Sequence, residues 1–319
     1  MKPRLAFIGA GSIAPSHIEA AQAAGFDLHG ICGRPNSQNA IGLTKKYNFA
    51  NYFSDVEAMF ATEFDAISLI SKTESLSLIY REIEKLKLPI LVEKPFSTNL
   101  DVYGEIDIEN SKTLIGYNRR YYSSIKTLKE KLTSCDYHYS KIHISEISWN
   151  PTASLDEQIK CLFENTVHGF DLLKYLFGNY KVINIVKNMT TIRIKSIFIE
   201  IESSAGKHIN LSISFGIPLN SFIEVWFDEV VVVCKPLESY SEFKDMAMFP
   251  PDDYLTYKRY EPRRLDNWKL SESDSRFKPG FLEQYKDFKK ICKGLTTDVG
   301  ARLTDAKLAT SLAAIIANA

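Results

Sequence analysis

The stretch from Phe7 to His17, FIGAGSIAPSH, constrains this chain more than any other. An apolar run, Leu5 to Ile8, stops at a G-x-G-x-x-A pattern and passes into an alanine-rich segment with helical spacing. In that setting Gly9 allows the tight turn, Gly11 lets the backbone approach a pyrophosphate, and Ala14 is small enough for close helix-to-sheet packing. Ser12 and Ile13 open the helix, whose first N–H groups and positive dipole end suit phosphate oxygens. The competing reading is a tight strand-to-helix turn in an unrelated α/β protein.

The rest of the chain supports the first reading. Residues 4–125 alternate short β-type runs (RLAFIG, DLHGICG, AISLIS, PILVEK, TLIGYN) with helical segments at 14–24, 36–47 and 74–86. That rhythm predicts βαβ units and a parallel sheet covered on both faces. From about residue 140 the pattern changes to long period-two runs such as TIRIKSIFIEIESS and FIEVWFDEVVVVCK, which predict a mainly antiparallel sheet with one face wet or against another subunit. Residues 236–280, with five prolines and many charges, read as a long irregular excursion, and two helices close the chain. Lys plus Arg equals Asp plus Glu at 39 each, so no global field draws nucleic acid or an anionic membrane. The five cysteines are odd in number and far apart, which fits neither a disulfide framework nor a zinc site. No metal is expected. The apolar run at the start is too short for a signal peptide and none elsewhere is long enough for a membrane helix, so the expected location is cytoplasmic.

Three further stretches bear on chemistry. After the second strand, where a carboxylate would meet a ribose 2′-hydroxyl, stand Gly33 and Arg34. Without the acid a 2′-phosphate is not repelled, and a guanidinium binds it, so NADP(H) is favoured over NAD(H); Arg34 lying over the adenine would serve either. Next, ILVEKPF places Glu93 and Lys94 where a parallel strand ends, the edge at which α/β sheets bind ligands, with Pro95 able to take the cis form. An ammonium in a partly desolvated crevice stabilises an oxygen that gains charge, although most lysines are solvated surface groups. Finally, in FENTVHGFDLLKYLFG, Glu164, His168 and Asp171 are spaced to line one stripe of a helix ending at Gly178. A histidine between two carboxylates suits a general base, with a neighbour to orient the ring or raise its pKa; the bland alternative is surface charge pairing.

Taken in order, GAGSIAPSH, EKP, GYNRRY and ENTVHGFDLLKYLFG resemble the glucose-fructose oxidoreductase, inositol dehydrogenase and MocA (Gfo/Idh/MocA) family. The resemblance implies an α/β protein. An N-terminal Rossmann domain with a doubly wound parallel sheet would span 1–120. A C-terminal α+β domain with an open, mainly antiparallel sheet would span 121–319, its last helix packing back on the first domain. It implies catalytic Lys94 and His168, with Glu164 where the family carries aspartate, a longer arm with the same charge. Gly9, Gly11, Ser12, Ile13, Gly33, Arg34, Ser71, Glu93 and Lys94 would hold the cofactor. Arg119, Tyr121, Trp149, Asn165 and His168 would meet a sugar, nucleotide-sugar or polyol; separately, Lys258, Arg259, Arg263 and Arg264 either reach a diphosphate or simply solvate an irregular loop. A homodimer or homotetramer is expected. SKTESL departs from the family's T-P-x-x-x-H, with Ser71, Lys72 and Leu76 at the matching positions near the cofactor. The expected activity is NAD(P)-dependent oxidation or reduction at a CH-OH carbon. The alternative is a cofactor-binding regulator or scaffold without turnover, and a redox-assisted eliminase or glycosidase would use the same cofactor site.

Overall fold

A computed structural model describes residues 2–109, 111–147, 150–265 and 268–319. In chain order the elements begin with β1 (Arg4–Ile8), α1 (Ala14–Ala23), β2 (Asp27–Cys32), α2 (Gln38–Tyr47), β3 (Asn51–Phe53), α3 (Val56–Phe60), β4 (Ala66–Leu69), α4 (Thr73–Ile83), β5 (Ile90–Val92) and β6 (Thr113–Ile115). There follow α5 (Ser123–Ser134), β7 (Tyr137–Glu146), α6 (Leu155–Cys161), α7 (Val167–Phe177), β8 (Tyr180–Met189), β9 (Ile194–Ser203) and β10 (His208–Phe215). The chain then forms β11 (Phe222–Phe227), β12 (Val230–Cys234), β13 (Ser241–Phe249), β14 (Arg259–Arg264), α8 (Glu272–Arg276), α9 (Phe281–Cys292) and α10 (Leu303–Asn318).

Two compact units result. The first takes in the chain up to Tyr121 together with Leu162–Leu172 and Glu272–Ala319; the second holds Tyr122–Cys161 and Leu173–Ser271. The first unit is thus not one continuous stretch of chain. Its sheet is parallel throughout, in the order β3-β2-β1-β4-β5-β6, the arrangement of a Rossmann fold. β3 was not expected: three residues with no alternation of their own are recruited by pairing with β2 through Gly30, Ile31 and Cys32.

The strands of this sheet are apolar on both faces because helices cover both. Phe7, Ile18 and Ile31 meet Phe281, Tyr285 and Phe288 of α9 in one core. Phe26 stacks on Phe288 at 5.9 Å, and Lys289 Nζ donates to the carbonyls of Ala24 and Gly25 at 2.9 Å, capping the end of α1. These contacts explain why the C-terminal helices join the first unit: a parallel sheet exposed on that side would leave its apolar face in water.

In the second unit eight strands run β14-β13-β12-β11-β7-β10-β9-β8, antiparallel except for the β7 and β10 pair. Period-two alternation sorts the faces. Ile197, Ile199 and Ile201 are buried, whereas Phe198 and Glu200 point the other way. Register aligns Val186, Phe198, Ser212, His143 and Phe222 in one row on that other face.

The excursion expected over 236–280 is irregular only in part. β13 and β14 form an antiparallel pair at the end of the sheet, with Pro262 inside β14. Proline removes a backbone donor, and an edge strand tolerates that loss because one side has no strand to satisfy. No helix among the described residues is long and apolar enough to cross a membrane.

Candidate active site

A cavity of about 930 Å³ opens where β1, β2 and β4 end, lined by Gly9, Gly11, Ser12, Ile13, Gly33, Arg34 and Ser71 among others. Gly9 has φ +113°, and a Cβ there would lie 2.7 Å from the Ile70 carbonyl carbon and 2.9 Å from the Ser71 nitrogen, so only glycine fits. Gly11 is the converse, since a Cβ on it would meet nothing within 4 Å and would project into open space. Ala14 is fully buried, as the tight helix-to-sheet contact requires. No side chain caps α1, but Ala14 N already donates to the Gly11 carbonyl at 3.0 Å and Pro15 has no N–H, so donors for a ligand would come mainly from the turn before the helix. These residues fit a dinucleotide.

Gly33 answers to sterics as well: a Cβ there would stand 2.7 Å from that of Ala40 on α2, so an acidic side chain cannot occupy the position without displacing the helix. Arg34 is exposed, and no carboxylate among the described residues pairs with it. Lys72, Glu74 and Asp55 also line the cavity; the Asp55 carboxylate accepts from Ala58 N at 2.7 Å and so caps α3.

Glu93 and Lys94 lie beyond this cavity's lining, just after β5, and the Lys94–Pro95 peptide is cis. Beneath them runs a buried hydrogen-bonded chain. His17 Nε2 meets Glu93 Oε1 at 2.9 Å, His17 Nδ1 meets the Tyr285 hydroxyl at 3.0 Å, and that hydroxyl meets Ser68 Oγ at 2.7 Å. Burial alone would raise the Glu93 carboxyl, but the hydrogen bond and charge of His17, together with Lys94, outweigh it and hold the group below its usual range. Burial holds the Tyr285 hydroxyl well above the normal phenol range, so it stays protonated. A carboxylate can only accept, so His17 Nε2–H donates to Glu93. The other Glu93 oxygen accepts the Lys94 backbone N–H at 3.1 Å. Sequence reading had picked Glu93 but neither His17 nor Tyr285. His17 carried a signal in its place at the end of FIGAGSIAPSH, and Tyr285, 268 residues away, carried none.

Lys94 Nζ donates to the backbone carbonyl of Glu164 at 3.1 Å. That carbonyl belongs to a wide turn of π type, Leu162–Thr166, preceding α7. The extra residue in such a turn breaks the regular helical spacing on which the Glu164, His168, Asp171 stripe depended. Asp171 is committed elsewhere: Arg120 Nε and Nη2 grip its carboxylate at 2.8 and 2.6 Å in a buried fork, with Asp305 3.3 Å from the same guanidinium.

His168 is buried, and its Nδ1 has no hydrogen-bond partner. Its pKa lies well below the usual imidazole value, chiefly through burial and then through Lys94, Arg119 and Lys278. This reverses the expectation that flanking carboxylates raise it. The ring is neutral at neutral pH, edge-on to Tyr117 at 5.8 Å.

Of the other substrate candidates, Arg119 is half-buried in the turn Asn118–Tyr121, and its Nη1 is buried without a partner. Asn165 is half-buried in the π turn. Tyr121 does not present its hydroxyl to a crevice; it is 2% exposed and donates to Asp287 at 2.8 Å, holding α9. Trp149 lies outside the described residues. Lys278 was missed, being one charge among many in the presumed excursion.

Residues 3–107 match the oxidoreductase family model with an NAD-binding Rossmann fold, Gfo/Idh/MocA. The match covers the N-terminal third of the chain. Solved structures extend the likeness along the whole chain at the level of fold. UDP-N-acetylglucosamine 3-dehydrogenase from Acidithiobacillus ferrooxidans superposes with a TM-score of 0.75 at 16% identity, covering 99% of this chain and 97% of that one. Levoglucosan dehydrogenase in complex with NADH and levoglucosan gives 0.79 at 13%, covering 100% and 98%. An NADPH-dependent oxidoreductase from Desulfitobacterium hafniense gives 0.79 at 16%, covering 100% and 95%. No curated protein matches in sequence.

The Arg120 fork makes a separate prediction. Arg120→Met leaves the Asp171 carboxylate buried without its partner, and the urea unfolding free energy should fall by about 3–5 kcal/mol. A loss under about 1 kcal/mol would show that the fork contributes little.

Proposed function

We propose that this chain is a Gfo/Idh/MocA oxidoreductase that uses NADP(H) for reversible hydride transfer at a carbinol or ketone carbon of a sugar, nucleotide-sugar or polyol. The observation that carries the reading is that Lys94, His168 and the glycine cradle belong to one unit, with Lys94 and His168 close enough for the lysine charge to depress the imidazole. When bound, the nicotinamide supplies or accepts the hydride. The chain does the rest. The neutral His168 imidazole takes the hydroxyl proton at a ring nitrogen and returns it in the reverse direction. Lys94 Nζ, steadied by the Glu164 carbonyl, stabilises the oxygen as it gains charge. Glu164 thus acts at least through its backbone, whatever its carboxylate adds in relaying the proton. Gly11, Ser12 and Ile13 receive the pyrophosphate, and Arg34, with no acid at Gly33, reads the 2′-phosphate.

The dehydrogenases of similar fold act on a nucleotide sugar and on an anhydrosugar according to their names, which supports a carbohydrate substrate here. A diphosphate held by the cations of β14 has less support. Arg259 already faces Asp252 at 3.4 Å and Glu261 at 3.6 Å, while Lys258, Arg263 and Arg264 are exposed. Five free thiols suit a reducing compartment, in keeping with a cytoplasmic enzyme.

Fluorescence titration with NADPH and NADH tests the cofactor assignment: NADPH should bind more tightly, and Arg34→Ala should erase the difference. Equal or reversed preference in the wild type overturns NADP(H), failure of both to bind overturns the redox reading, and binding without turnover on any sugar or polyol favours the cofactor-binding regulator or scaffold. On a sugar and polyol panel, Lys94→Ala should lower turnover about a hundredfold or more without abolishing cofactor binding. Turnover within a few-fold of wild type would remove Lys94 from the chemistry.

The outer face of the second unit's sheet supports self-association into a dimer or tetramer. Val186, Phe198 and Trp226 are each 45–49% exposed there, an apolar surface that a partner copy would cover. Light scattering should give a multiple of 36.2 kDa, reduced by Phe198→Asp; a monomeric wild type would contradict it.

A further inference from the structure

The cations around His168 are more than the proposed hydride transfer requires. Lys94 alone serves the reacting oxygen, yet Arg119 and Lys278 also act on the same imidazole. Their nearness has a structural cause. Asn118 Nδ2 donates to the Pro279 carbonyl at 2.9 Å, pinning the turn that carries Arg119 to the segment that carries Lys278. Lys278 Nζ sits 5.2 Å from the Phe281 ring centre, and Phe281 packs on His17 at 4.7 Å, so the segment is anchored beside the Glu93 and Lys94 turn.

The Glu93 carboxylate acts on Lys278 from a distance, but no direct contact neutralises either cation. Among the described residues no carboxylate forms an ion pair with Arg119 or Lys278, and Arg119 Nη1 and His168 Nδ1 are both buried without a partner. The two residues are 159 positions apart, and Lys278 lies outside every regular helix and strand, so the pinning of their two segments is what brings these like charges together. A buried guanidinium nitrogen with no acceptor is costly unless a ligand supplies one.

We propose that Arg119 and Lys278 form an anion subsite beside Lys94 and His168, so that the substrate is an acidic sugar derivative whose carboxylate or phosphate lies next to the reacting hydroxyl. This rests on the reading of the crevice as a hydride-transfer site and narrows its substrate class. The guanidinium binds two oxygens in its plane, and the ammonium adds a point charge from the solvent side. An anion here also offsets the cations that hold His168 neutral, making the ring a better proton acceptor when substrate is present. A neutral sugar would leave both cations unpaired and bind more weakly.

The test is calorimetric titration of malonate and of inorganic phosphate into the full-length protein, with and without saturating cofactor, for the wild type, Arg119→Gln and Lys278→Gln. Lys278 is exposed, so its variant should fold normally. Either anion should bind the wild type and lose about tenfold or more in affinity in both variants. The tighter of the two distinguishes a carboxylate from a phosphate substrate. No binding of either anion at millimolar concentration, or affinity unchanged in both variants, overturns the subsite. Cofactor titration is scored separately: without cofactor binding the redox reading fails, while the cofactor-free titration still decides the anion subsite.

Discussion

The hydrogen bond between His17 and Glu93 is the constraint on which the site depends. His17 belongs to the helix that opens at the glycine turn, and Glu93 precedes the lysine at the end of β5. One buried contact therefore links the element that would receive phosphates with the element that would face substrate. Tyr285 and Ser68 extend it, so α9 and β4 set the imidazole from its other side. A polar chain of this kind is stabilising only when every member is satisfied, and here each has a partner. The Glu93 carboxylate spends one oxygen on His17 and the other on the Lys94 backbone, which fixes where the lysine begins.

Much of this was legible in the sequence because it follows from local rules. The glycine turn, the parallel strands and the second sheet each carry a periodicity or a backbone demand that one short window reveals. Leu5 to Ile8 cannot be a half-exposed strand, and the alternation from Ile194 to Ser203 cannot be a helix. What escaped was non-local. β3 exists because β2 offers it a partner, and β14 keeps its proline because it is an edge. Tyr285 looks like any aromatic on an amphipathic helix until its hydroxyl is seen against His17.

The stripe of Glu164, His168 and Asp171 shows a different failure. The spacing predicts one helical stripe, but the turn that carries Glu164 is wider than a helix. Asp171 shares α7 with His168, yet its carboxylate is turned to another partner. Asp171 serves Arg120, the Glu164 carbonyl serves Lys94, and the histidine is left among cations. Charge type could be read from composition; the direction of the field at one ring could not, since it depends on Arg119 and Lys278 arriving from distant stretches.

The split make-up of the first unit has a consequence for how the protein is made. Strands β1 to β6 emerge from the ribosome early, yet one side of their core is supplied by Phe281, Tyr285 and Phe288, and the hydrogen-bonded chain under Lys94 lacks its tyrosine until then. Domains generally fold as units in order of synthesis, but this one must wait for nearly the entire chain. During that interval a parallel sheet, slow to form because its contacts are distant in sequence, stands with apolar surface uncovered. The nascent chain is therefore a client for chaperones over most of its length, and any fragment ending before α9 would be an aggregation-prone sheet and not a smaller enzyme.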